Sequence, residues 1–255
     1  MADDPVARSL ARGIIERLRI QRPEEIDIEL IAGHHRLLVE RRELQHEEGR
    51  LVRQDKFGII TVAESAYRSK KWRFVVAHEI GHFLRHKRVN QLDLCTDADL
   101  GNWYSTSGRE PEANTFAAEL LMPDALFRKR CDRKKPSLKD IRALAEEFQT
   151  SLTATAIRFV QLAPEPCAVV LSRDAVVVRV TWNDDFKIGI RKGTRLTNRT
   201  YAGDIVAGTF VHDFLQSVDG EAWSSSPWAD KYDLHEHSMS IGHGTVLSFL
   251  WHPYR

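Results

Sequence analysis

The chemistry in this sequence concentrates in one string, His78-Glu79-Ile80-Gly81-His82. On a helix, side chains four residues apart share a face, so two imidazoles at this spacing can hold a single metal ion. Glu79 follows the first of them and can reach a water polarised by that ion without being a ligand, the placement of a general base in metal-assisted hydrolysis. The flanks are apolar: Phe74, Val75, Val76 and Ala77 lead in, and Phe83 and Leu84 lead out. Two imidazoles and a carboxylate on a buried helix need partners, because an unpartnered buried polar group costs on the order of several kcal/mol. A metal supplies the partner. Gly81 costs a helix interior about 1 kcal/mol relative to Ala; it fits as room for a neighbouring element to come close.

Catalytic zinc usually takes three protein ligands and a water. The extended motif HExxHxxGxxH is excluded, since Arg85 and Arg88 stand where its Gly and third His belong. A downstream carboxylate remains: Glu110, Glu112 or Glu119. The helix expected over 111–122 has Ala113, Phe116, Ala117, Leu120 and Leu121 on its apolar face, and that face continued backwards by three and four residues reaches Glu110. Glu112 and Glu119 fall on the flank with Thr115. Glu110 is therefore the third ligand and Glu112 the second choice. Pro111 disfavours helical backbone at the residue before it, so Glu110 is expected at the helix N-cap. His86, one turn beyond His82, is expected at the helix end or against the ligands. Tyr104, in the loop before Glu110, is a candidate donor to a developing oxyanion, and Asp93, Asp97 and Asp99 are expected to be solvated.

Stepping outward, residues 5–19 carry Leu10, Ile14, Ile15 and Leu18 at helical spacing, and 24–34 reads as a short helix closed by Gly33. The runs RLLVERREL, GRLVRQD and GIITVAE predict a small antiparallel sheet. One long helix is expected over about 66–87 and a loop over 90–109. RKRCDRKKP (128–136) reads as a solvated basic linker. Two helices then follow from Ser137 and Ser151, and beyond Pro164 and Pro166 the runs CAVVLSRD, AVVVRVTW, FKIGIRKG, DIVAGTFV and GTVLSFLW all read as strands. The fold class is α+β, with residues 1–127 as a core around the metal motif, 128–163 as a helical segment and 164–255 as a β-rich module.

The chain of 255 residues has 37 Lys+Arg against 36 Asp+Glu, a net charge of +1. Near-neutrality argues against a nucleic-acid coat or a polybasic membrane binder. MADDPVARSL has acidic residues where a secretory signal has basic ones, and no window approaches a membrane span. Cys95, Cys131 and Cys167 are scattered and form no CxxC pair, so a cytoplasmic protein with reduced thiols is expected.

RFVVAHEIGHFLRH (73–86) followed by EPEANTFAAELLMP (110–123) resembles the ImmA/IrrE family of bacterial metallopeptidases. The second string is the more specific of the two, since HExxH is shared by many peptidases. The resemblance implies a zincin-like core, ligands at His78, His82 and Glu110, a catalytic Glu79, and zinc, or alternatively manganese, as the metal. It also implies a protein substrate: a DNA-bound transcriptional repressor of the helix-turn-helix (XRE-like) type, cleaved to derepress stress or mobile-element genes. LAEEFQTSLTATAIRFVQL (144–162) resembles the helix-turn-helix-like segment of the radiation-response branch, and LHEHSMSIGHGTVLSFLWHP resembles the last strands of that branch's GAF-like sensor domain. The second of those helices offers Thr153, Thr155 and a single Arg158, few groups for reading bases or binding phosphates. Packing or partner docking is expected there rather than direct DNA binding. His235 and His237 alternate on one strand face and, with no third partner, read as surface or inter-strand histidines. The competing reading is a non-proteolytic regulator that binds a repressor or DNA around a structural metal site; the intact Glu79 argues against it, because such a site has no use for that residue.

Overall fold

The computed structural model describes residues 4–45, 47–68, 71–86, 108–132, 135–209 and 211–253, and the backbone of 93–95. Asp4 accepts hydrogen bonds from the N–H groups of Val6 and Ala7, both at 2.9 Å, and so caps helix α1 (Pro5–Arg17). Ala7, Ala11, Ile14 and Ile15 form its buried face. Asp27 caps α2 (Ile28–His34) in the same way, and α2 runs through Gly33 instead of closing on it.

The first sheet holds β1 (Leu37–Arg42), β2 (Gly49–Gln54), β3 (Phe57–Ala63) and, beyond helices α3 (Glu64–Arg68) and α4 (Trp72–Arg85), β4 (Asp93–Cys95). Its order is β1-β3-β2-β4. The expected antiparallel sheet is in fact mixed, because β1 pairs with β3 in parallel. Residues 43–48 carry the chain past one strand position, and the β2–β3 hairpin then brings β3 back into that gap. Side-chain alternation reports which face a residue occupies and is blind to strand direction. The single long helix expected here is two helices, and β4 falls within the stretch read as loop.

Helix α5 (Arg109–Leu121) starts at Gly108, whose φ of 127° suits glycine. Where α5 passes α4 the two backbones come close. A Cβ built on Gly81 would lie 3.2 Å from Ala113 Cα and 3.0 Å from Phe116 Cδ1, so the glycine is the room for that approach. Helix α6 (Asp124–Cys131) takes up the first half of the basic run read as a linker.

The chain divides into two compact units, Met1–Leu126 with Glu147–Ser151, and Phe127–Glu146 with Leu152–Arg255. The second contains α7 (Leu138–Glu147, apart from its last residue), α8 (Leu152–Leu162), β5 (Cys167–Arg173), β6 (Val176–Trp182), α9 (Tyr201–Val206), β7 (Gln216–Asp219), α10 (Gly220–Trp223), β8 (Asp233–Gly242) and β9 (Thr245–Trp251). Its antiparallel sheet runs β6-β5-β9-β8-β7. Two of the expected strands are absent. FKIGI buries Phe186, Ile188 and Ile190 in alternation but joins no strand ladder among the described residues. DIVAGTFV begins inside α9, which Thr200 caps by accepting from Gly203 N–H. At the centre of this unit the Glu236 carboxylate on β8 accepts from the N–H groups of Ala202 (2.6 Å) and Tyr201 (3.2 Å), the Trp223 indole (2.8 Å) and the Ser238 hydroxyl (2.6 Å). It thereby ties α9 and α10 to the sheet.

Candidate metal centre

Helix α4 carries His78, Glu79 and His82 on a stretch buried from Val75 to Phe83. Both ends of the helix are held. At its start, the buried Arg73 guanidinium donates to Gln149 Oε1 and to Ile26 O, each at 2.6 Å. At its end, Arg53 of β2 donates to the carbonyls of His82 and Phe83 and lies over the Phe83 ring at 4.0 Å, a cation placed where the helix dipole favours one. Arg85, where a longer motif would have glycine, donates to Glu112 (2.8 Å) and Asp4 (3.1 Å) and so pins α4 to the first turn of α5.

Glu110 lies inside α5, one residue after its first, and not at the cap. The first-turn N–H groups of a helix have no intrahelical partner, so Pro111 removes nothing there, and its preference against a helical predecessor is overridden. From that position Glu110 Oε2 reaches His78 Nε2 at 3.0 Å and His82 Nε2 at 3.3 Å, and the two Nε2 atoms are 2.9 Å apart. Ligand atoms of the three residues all lie within 4.8 Å of one another. Half-burial pushes the Glu110 carboxyl up, but interaction with the two imidazoles outweighs it and holds the group below the usual carboxylate range. Burial lowers His78, which favours the neutral imidazole a metal needs.

The donor set can be tested for fit. His78 Nδ1 lies 2.9 Å from Asn114 Oδ1. An amide oxygen only accepts, so that imidazole proton sits on Nδ1 and the neutral ring presents a lone pair at Nε2. The lone pair faces a carboxylate oxygen and a second imidazole nitrogen. His82 Nδ1 is buried with no hydrogen-bond partner. Two imidazole nitrogens and a carboxylate oxygen thus converge closely enough to hold one cation between them. Two nitrogens and a carboxylate oxygen suit a borderline ion such as zinc.

Glu79 is fully buried beside β2: a Cβ built on Gly49 would lie 3.4 Å from Glu79 Oε1 and 2.3 Å from Val75 Cγ1. Only glycine at this strand position lets β2 lie against the motif helix. His86 stays outside the ligand trio, its ring 5.2 Å from that of His82 and its Nε2 3.9 Å from Glu112 Oε2. Glu112 pairs with Arg85, and Glu119 is buried against Arg12 at 2.9 Å, so neither alternative carboxylate joins the centre. Tyr104, Arg88, Asp97 and Asp99 lie outside the described residues. Asn114 had not been singled out; its signal was its place four residues after Glu110, on the same helix face.

In the second unit His237 is a satisfied buried histidine. Its Nδ1 accepts from Leu138 N–H at 3.2 Å and its Nε2 faces Asp213 Oδ1 at 3.0 Å. His235 is partly exposed, 3.9 Å from Asp233.

A family model, Peptidase_M78, described as the IrrE N-terminal-like domain, matches residues 32–160. A phage protein titled "Uncharacterized immunity region protein 2", from Bacillus phage phi105, is 37% identical over 81 residues, 32% of this chain. The match spans 49% of that relative, about half its length. A solved "Mycobacterium tuberculosis transcriptional regulator" is similar with a TM-score of 0.62 at 13% identity, covering 98% of this chain and 77% of the other. At that identity the likeness is one of fold.

Proposed function

The chain belongs to the Peptidase_M78 family of IrrE N-terminal-like domains, and from that premise we propose that it is a cytoplasmic metal-dependent endopeptidase that cleaves a helix-turn-helix transcriptional repressor. One observation carries the catalytic part: His78, His82 and Glu110 aim their acceptor atoms at one point, with Glu79 on the same helix. A zinc or manganese ion bound there would supply Lewis-acid polarisation of a carbonyl and bring the pKa of water near neutrality. Glu79 acts as general base, taking a proton from the attacking water and delivering it to the departing amine. Burial excludes bulk water from Glu79 and strengthens its electrostatic effect on that proton transfer.

The names of two similar proteins, a phage immunity region protein and a transcriptional regulator, support a role in gene control. Helix α8 supports a protein substrate over DNA, because none of its residues is exposed and Thr155 and Arg158 are buried. Side chains must be exposed to read base edges, and the buried stretch 155–160 offers none.

The test begins with a search of the neighbouring genes for a small helix-turn-helix repressor, followed by incubation of the protein with it. A single cut is expected that disappears with chelator and returns with added zinc or manganese. A repressor left intact in every metal-loaded reaction sinks the substrate assignment. Cleavage at full rate in chelator sinks the metallopeptidase reading.

A further inference from the structure

We propose that Asn114 is a positioning residue that fixes His78 in the tautomer and ring orientation the metal centre requires. The inference rests on the metal-centre reading above and deepens it. Asn is a mediocre helix former, yet Asn114 is buried in the middle of α5 among Ala113, Phe116 and Ala117. Apolar packing does not account for an amide at that place. Its oxygen lies 2.9 Å from His78 Nδ1, and because the ring has two nitrogens, fixing the proton on one leaves the other free to ligate. Metal-binding histidines are commonly steered in this way by an acceptor behind the ring.

The arrangement is one-sided. Among the described residues His82 Nδ1 has no hydrogen-bond partner, so within that set His78 alone of the two imidazoles is held from behind. Asn114 and Glu110 are four residues apart on α5, so one helix face supplies both a ligand and the group that aims a second ligand. Seating α5 on α4 at Gly81 therefore sets both at once.

The experiment compares parent, Asn114→Leu and Asn114→Asp full-length protein, each metal-free at the start. Zinc affinity is read by competition with a chromophoric chelator, and geometry by the visible absorption of the cobalt-loaded forms. Leu removes the acceptor while keeping the branched outline of the side chain, and zinc affinity should fall about 10- to 100-fold with an altered cobalt spectrum. Asp keeps an acceptor at the same place and should bind at least as tightly as the parent, with a parent-like spectrum. A Leu variant with parental affinity and spectrum overturns the positioning role. So does an Asp variant weakened tenfold or more, and this arm decides alone if the Leu variant does not fold. A parent that takes up no zinc overturns the metal-centre reading itself, a result distinct from either variant outcome.

Discussion

Each unit is organised around a carboxylate, and the two carboxylates meet opposite kinds of neighbour. Glu236 is surrounded by donors, two backbone N–H groups, an indole and a hydroxyl, at 2.6–3.2 Å. Glu110 faces two imidazole nitrogens, one of which presents a lone pair because Asn114 takes the proton on the other side of its ring. The Glu236 cluster is complete as a set of hydrogen bonds and needs nothing further. The Glu110 cluster is a trio of ligand-type atoms close enough to share a cation. The balance of donors and acceptors, more than the residue types, separates a structural cross-link from a site.

The sharpest challenge to that contrast lies in the chemistry. Glu79→Ala should retain zinc and lose cleavage by about 10²–10⁴-fold, the range for a general base, whereas Glu236→Gln should leave zinc binding untouched. Metal analysis beside a cleavage assay reads both. Metal removal comes next. Zinc at about a thousand times its Kd should stabilise the first unit by roughly 4 kcal/mol, seen as slower amide exchange in α4 and α5 and none in β8; equal slowing in β8 breaks the comparison.

A smaller effect comes from giving each carboxylate an amide. Glu236→Gln sets an NH₂ among donors and should cost roughly 1–3 kcal/mol in denaturant unfolding. Glu110→Gln in metal-free protein offers a donor to lone pairs and should cost no stability while abolishing zinc binding. A stability loss at Glu110 equal to that at Glu236 would erase the distinction. The smallest effect is that of His237. Burial lowers its pKa from the ordinary 6.5, against the pull of Asp213 and with Lys139 and Arg142 adding to the lowering. The unfolded chain therefore takes the proton first, so this residue's contribution falls as pH drops below 6.5 and levels off under the folded value. Protonation would also set an N–H on Nδ1 against the Leu138 N–H. The thermal midpoint should decline across that window in the parent and decline less in His237→Gln.

The convergence of His78, His82 and Glu110 was legible because helical spacing is rigid: four residues bring His82 under His78, and the apolar face of α5 carried back to Glu110. The capping position assigned to Glu110 failed because a proline in the first turn takes no hydrogen bond away. Asn114 was missed because its role depends on α5 crossing α4, a tertiary fact that neither helix alone encodes. Alternation at Phe186, Ile188 and Ile190 reported the buried face correctly, while pairing depends on a neighbour the segment lacks. Strand direction in the first sheet was hidden for a similar reason, since only the path of 43–48 decides it.

Helix α8 has a consequence for how this molecule can change. Every side chain from Thr155 to Val160 is buried, so a substitution there is first a change of volume or of buried polarity, and only afterwards a change of surface. New partner specificity cannot be written on it cheaply, so diversification has freer ground elsewhere on the chain, in segments where a mutation alters what the protein touches without altering how it packs.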